Sequence, residues 1–336
     1  MQNQKVYRFE HVWTRNEQHL NKVREAWLTN QGNLATKLKS TLEHLHNWGH
    51  TLFGTLPRKI KQAQEELMTL NQIHGTTDLS QQIKEKEQEL DMLLDGEEMW
   101  WKQRSRADWL QHGDKNTRFF HMKASQRRKR NKISEIKDNQ GTVWTDSADI
   151  ERVLMDHFRT LFTKQDTQQI AQTVEVVKDR LNHDMKEHLS TNFTEEEVYN
   201  AIKDMKSMAA PGPDGLPALF YHTYWDIIGK DVILAALDVL NNNGDPSQFN
   251  HTHICLIPKI PNPISASDYR PISLCNVTLK IVTKTVANRL KSILPELISP
   301  NQSAFVQGRL ITDNTIIAHE IFHFFTHSLL AHIFTK

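Results

Sequence analysis

Three prolines within six residues, Pro258, Pro261 and Pro263, set the tightest limit on how this chain can fold. Proline cannot donate to a strand ladder, so the β-type run at 252–257 must end there. The connector to the next run, 272–275, is then a loop. Lys259 and Arg270 stand at the inner ends of this strand–loop–strand unit, where they are expected to converge on one anion. A lysine point charge beside a planar arginine fork suits polyphosphate. Taken alone, the stretch reads first as a surface hairpin with two solvated cations.

A chain of 336 residues suggests two or three units, and 38% hydrophobic content is low for one compact globule. Part of it is therefore expected to be extended, helical and exposed. Cys255 and Cys275 are too few for a disulfide framework and point to a reducing compartment. On the two candidate strands they read as small buried hydrophobes. The first residues lack a signal-peptide core, and no apolar run is long enough to span a bilayer. A soluble nuclear or cytoplasmic chain without a membrane partner is expected.

Residues 1–99 carry apolar residues at helical spacing, among them Trp13, Val23, Trp27, Leu34, Leu38 and Leu45. Two stripes, Ile60–Ala63–Leu67–Leu70 and Leu79–Ile83–Leu90, predict an αα-hairpin with Asp78 as N-cap, in a role that need be no more than a spacer. Residues 100–165 are basic and aromatic. From Lys102 to Lys132 there are eleven Lys/Arg against Asp108 and Asp114, a bias that calls for a polyanion. Arg104, Arg106, Lys115, Arg118, Arg127, Arg128, Lys129, Arg130 and Lys132 are the expected nucleic-acid contacts, with Trp109, Phe119 and Phe120 available to bases or ribose. The same residues also allow core aromatics and a nuclear-import signal. A hairpin turning at 138–141 and a helix over 149–162 follow.

Thr194 and Glu197 form a capping box, stapled by Phe193 and Val198. The helix stops at Pro211, Gly212, Pro213, Gly215 and Pro217, a rigid loop whose glycines admit another backbone or a template strand. A helix over 232–240 comes next. Leu279, Val282, Val286, Leu290, Ile293 and Leu297 predict a helical stripe with Arg289 at its border, ending or kinking near Leu294 because of Pro295. An amphipathic helix starts at Asn314.

Ala-Pro-Gly-Pro-Asp-Gly at 210–215, Leu-Ile-Pro-Lys at 256–259, Asp-Tyr-Arg-Pro-Ile-Ser-Leu at 268–274, Ala-Asn-Arg-Leu at 287–290 and Asn-Gln-Ser-Ala-Phe at 301–305 with Gly308-Arg309 resemble plant LINE-type (non-LTR) retrotransposon reverse transcriptases, in order and in approximate spacing. Gly-Asp-Lys-Asn-Thr-Arg-Phe-Phe-His at 113–121 resembles the linker before that polymerase. The resemblance implies an α+β, mostly helical fold: a helical linker, then the fingers and partial palm of a right-hand polymerase over 195–325, with a divergent tail at 326–336. It implies an RNA template and a DNA primer as partners, with no oligomeric state specified. It assigns nucleotide phosphates to Lys259 and Arg270. It sets Pro211, Gly212, Asp214, Gly215, Gln302, Phe305, Gly308 and Arg309 beside template or nucleotide.

The family enzyme uses two Mg²⁺ ions held by paired aspartates. After Arg270 this sequence has only Glu296, Asp313 and Glu320 as acids, and nowhere an Asp-Asp pair. No catalytic or metal-binding residue is therefore assigned, and an inactive polymerase fragment is expected. A non-catalytic RNA- or DNA-binding protein is the alternative. His319-Glu320-Ile-Phe-His323 also fits the H-E-x-x-H zinc-hydrolase pattern, although Leu329 stands where a metzincin places its third histidine.

Overall fold

The computed structural model describes residues 7–73, 79–106, 117–164, 170–303 and 306–333. A 3-10 turn, His11–Arg15, leads into α1 (His19–Thr29) and α2 (Leu34–Phe53). Asn33 caps α2 by accepting from the Thr36 amide at 2.9 Å. The expected αα-hairpin is present as α3 (Leu56–Gln72) against α4 (Ser80–Ser105), laced by a Lys86–Glu66 pair at 2.7 Å. Its predicted Asp78 cap lies outside the described residues. Next come α5 (Thr117–Arg130), the ribbon β1 (Ile136–Lys137) and β2 (Val143–Trp144), α6 (Ser147–Phe162), α7 (Ile170–Lys178) and α8 (His183–Ser190). Gly141 supplies the positive φ of 91° that the β1–β2 turn needs.

The capping box predicted at Thr194–Glu197 opens α9 (Glu195–Lys203), which packs on both α10 (Ala218–Asn241) and α11 (Val277–Leu297). Between α10 and α11 lies the ribbon of β3 (Thr252–Pro258) and β4 (Tyr269–Cys275), and α12 (Ile311–Ile333) follows α11. Among the described residues the strands make two two-stranded ribbons, and everything else regular is helical.

One core runs through both halves of the chain. Val12, Trp13, Trp27, Leu34 and Leu45 are buried with Val198, Phe220, Tyr221, Tyr224 and Ile281. Phe9 meets the rings of Phe220 at 5.5 Å and Tyr224 at 6.0 Å, both edge-on. The Trp27 indole N–H (2.9 Å) and Lys37 Nζ (2.7 Å) both donate to Asp231 on α10. The first two helices thus pack against α10.

Three sequence expectations are corrected. The buried face of α11 carries Val277, Thr278, Ile281, Val282, Thr285, Arg289 and Ile293, leaving Val286 and Leu290 exposed. α9 and α10 offer polar partners to Thr278 and Arg289, so the true face is rotated from the purely apolar stripe. α11 also continues past Pro295 to Leu297, because the proline sits in the last turn and the Ile298 amide still reaches the Leu294 carbonyl at 3.0 Å. Cys255 is exposed and Cys275 half-buried, since the β3–β4 ribbon leaves its middle uncovered.

Candidate nucleic-acid interface

In the β3–β4 ribbon Ile257 lies opposite Arg270 and Pro258 opposite Tyr269. The pairing runs one step further, where the Lys259 amide donates to the Asp268 carbonyl at 2.8 Å. The loop beyond is fixed from within by Asp268, whose carboxylate accepts from the Ile264 (3.1 Å) and Ser265 (2.9 Å) amides. Asn262 takes the left-handed conformation at its tip, φ 53°, which asparagine tolerates. The loop is also held from outside. The Lys137 amide of β1 donates to the Ile264 carbonyl at 2.6 Å, and Ala266 is buried with Ile136 and Ile150.

This docking brings the C-terminal end of α5 to the proline loop. Lys129, Arg130, Lys132, Glu135, Lys259 and Tyr269 line a cleft of about 680 Å³ between them. α5 ends in Arg127, Arg128, Lys129 and Arg130, where the helix dipole favours positive charge. These cations are exposed, as are Lys132 and Lys259, and none of them forms an ion pair with a described residue. Lys259 Nζ donates instead to the Ser267 carbonyl at 2.7 Å. Arg270 follows Tyr269 in β4, so the two point to opposite faces of the ribbon, and Arg270 does not line the cleft. Lys259 lines that cleft with the end of α5, while Arg270 stands opposite Ile257 in the ribbon.

The remaining basic residues divide. Arg118 is exposed, Arg106 caps α4 in the left-handed region, and Lys115 and Trp109 lie outside the described residues. Arg104 is committed to structure: it forks onto Glu10 at 2.6 and 2.9 Å and lies 3.3 Å above the Trp100 ring. Phe120 is fully buried and closed to bases, while Phe119 is half-buried with Lys123 Nζ 5.6 Å from its ring centre.

The proline–glycine loop turns inward. A Cβ on Gly212 would lie 2.5 Å from the Asn276 amide nitrogen, and one on Gly215 (φ 75°) would collide with the Tyr7 carbonyl. The close approach these glycines permit is to the chain's own backbone. Pro211 is half-buried beside them. Asn276 accepts from the Asp214 amide at 3.2 Å and donates to the Phe249 carbonyl at 3.2 Å, tying the loop to the end of β4. Sequence reasoning passed over Asn276, although it closes the Asp-Tyr-Arg-Pro stretch. Asp214 lines a second cleft with Tyr7, Lys39, Glu43, His251 and His253. Burial pushes its carboxyl up to about 6, only partly offset by the Leu216 amide and the Lys280 charge.

Because that value is raised in the folded chain, the stability linked to Asp214 is fully present below its ordinary value and is lost as pH rises through about 6. Urea unfolding at pH 4.5 and 7.5 is expected to show the wild type losing about 2 kcal/mol relative to Asp214→Asn over that interval. Equal pH slopes in the two proteins would show that the carboxyl is not desolvated.

Arg309 is a staple rather than a free contact. Its guanidinium donates to the Ser299 (2.6 Å), Gln302 (2.8 Å), Pro295 (3.2 Å) and Ile298 (3.3 Å) carbonyls, gathering the chain that leaves α11. That satisfies carbonyls which the helix end leaves without partners. Gln302 is exposed, Gly308 takes φ 79° in open space, and Phe305 lies outside the described residues. His319 and Glu320 are exposed on α12, and no group of three His, Cys, Asp or Glu suited to a metal occurs among the described residues. No helix among them is long and apolar enough to cross a membrane.

Residues 257–332, from the end of β3 to α12, match the reverse transcriptase (RNA-dependent DNA polymerase) family. Over 226 residues, 66% of this chain, the sequence is 30% identical to a Xenopus laevis protein described as the transposon TX1 uncharacterized 149 kDa protein. The chain spans 17% of that relative's length.

Proposed function

We propose that this chain is part of the RNA-dependent DNA polymerase of a non-LTR, LINE-type retrotransposon, with motifs of the form plant elements carry. In this reading it contributes nucleic-acid-holding fingers and does not polymerise on its own. The observation that carries it is the coincidence of the family match with the ordered motifs between residues 257 and 332. The similarity to a transposon-encoded protein supports the same reading.

The residues present do not fit a two-Mg²⁺ site. The acids after Arg270 are Glu296, Asp313 and Glu320, and the Asp313 carboxylate accepts from the Leu310 amide at 2.9 Å, capping the start of α12. No chemical step is assigned to them. Primer extension on an RNA template with Mg²⁺ is expected to give no templated product from the purified chain. A clear templated product overturns the reading.

The second reading, a nucleic-acid-binding protein without a polymerase role, draws on the exposed cations at the end of α5. Supplying in trans a relative's segment with paired aspartates separates the two. Restored extension supports the polymerase reading, and binding without extension supports the other.

A further inference from the structure

We propose that the apolar face of α12 is the contact between two copies of this chain, paired about a two-fold axis that passes near Ile321. A dimer through α12 stands independently of the polymerase reading.

The helix itself makes the first argument. α12 is built largely from isoleucine, phenylalanine, threonine and histidine, which are weak helix formers. Among the described residues no other helix or strand packs along it, and none of its side chains joins the buried core. Such a helix holds in water only when its apolar side is covered, because packing rather than propensity supplies most helical stability.

The spacing shows which side that is. At about 100° per residue, Ile311, Ile317, Ile321, Phe322, Phe324 and Phe325 fall within one arc of roughly 160°. Each of the six is between 51% and 74% exposed. Asp313, His319, Glu320 and His323 take the opposite side, with Ile316 the one large apolar residue among them.

Area and charge identify the occupant. Six such side chains present roughly 800 Å² of apolar surface, beyond the largest patch of a typical monomer and close to one partner's share of a stable interface. The face carries no charge, so two copies meet without opposing like charges. Isoleucine and phenylalanine side chains have no hydrogen-bonding atoms, so identical faces close on each other without leaving a buried polar group unsatisfied.

The root of the helix is fixed before any partner arrives. Asn314 donates to the Asn301 carbonyl and to the Ser303 hydroxyl, each at 3.1 Å, which ties the preceding segment to the first turn. The open stretch of the face then runs from Ile317 to Phe325, with Ile321 at its middle. In a two-fold contact the residue at the middle of the patch lies beside its own copy.

The test is sedimentation equilibrium of the chain from about 0.1 to 50 µM, which brackets an expected dissociation constant of about 1 µM. The wild type is expected to pass from monomer to dimer and to stop there. Ile321→Asp and Ile321→Lys are each expected to weaken pairing about a hundredfold, while an equimolar mixture of the two re-forms a dimer. Met155→Asp, at an exposed apolar residue of α6, is expected to change nothing. The near-ultraviolet circular dichroism of Trp13 and Trp27, buried in the core to which α12 contributes nothing, is expected to be the same in every variant. A wild type that stays monomeric at the highest concentration overturns the dimer, and the face then belongs to a different partner. Association without limit into larger masses overturns it, as does equal weakening by Met155→Asp and Ile321→Asp. A mixture of the aspartate and lysine variants that fails to pair overturns the two-fold contact at Ile321.

Discussion

Replacing Arg289 with alanine is expected to destabilise the chain by about 3 kcal/mol, because it breaks a nearly buried charge cluster. Arg289 is 6% exposed and binds Glu197 through two parallel contacts, Nε to Oε1 at 2.8 Å and Nη2 to Oε2 at 2.7 Å. The same guanidinium donates to the Thr191 and Asn192 carbonyls and lies 3.6 Å over the Phe193 ring. Glu197 in turn holds the N-terminus of α9, accepting from the Thr194 amide at 2.9 Å. The substitution therefore loosens α9 from α11 and strips three groups of their partner at once. Arg289→Lys rescues the charge without the fork and is expected to recover less than half of the loss. The hydrogen bonds from Arg289, first among the causes, hold the Glu197 carboxyl below its ordinary value of about 4.5. Its stabilisation is present above that value and is lost as pH falls through the folded one, a dependence that Arg289→Ala should flatten. Urea unfolding of the three proteins checks both statements. A loss below about 1 kcal/mol in Arg289→Ala would show that solvent replaces the cluster.

Gly212→Ala is expected to cost about 3 kcal/mol. The added methyl would lie 2.5 Å from the Asn276 amide nitrogen and 2.6 Å from the Cys275 carbonyl carbon, both backbone atoms that cannot rotate away. Relief requires the loop to move off the end of β4, breaking the contacts Asn276 makes to Asp214 and Phe249. Thermal unfolding followed by circular dichroism reads the effect. A variant within about 0.5 kcal/mol of wild type would show that the loop shifts freely.

These two sites mark the border of what the sequence discloses. The Thr194–Glu197 box, the αα-hairpin and the β3–β4 unit are local: each follows from residues within a few positions of one another. The face of α11 is not local. Its buried side includes Thr278, Thr285 and Arg289, whose burial is tolerable because α9 and α10 supply partners. Hydrophobicity alone therefore selected Val286 and Leu290 instead. Arg104 and Arg309 sit in stretches where a cation reads as a ligand contact. Glu10 and a set of loop carbonyls, distant or featureless in sequence, claim them first. In the other direction, the basic run at 127–132 and Lys259 were each visible alone, while their meeting depends on the docking of the proline loop against β1 and α6. No periodicity encodes that.

The shared core of α1, α2 and α10 also has a consequence in time. Phe9, Trp13 and Trp27 are synthesised first, yet Phe220 and Tyr224 arrive only after the 164 residues that separate Phe53 from Ala218. At about 5–20 residues per second that interval is roughly ten to thirty seconds. Throughout it the nascent chain displays an aromatic surface with no native mate. Folding yield will therefore follow how well this first aromatic surface is shielded, by a chaperone or by a slow-releasing ribosome, more closely than it follows the stability of the folded state.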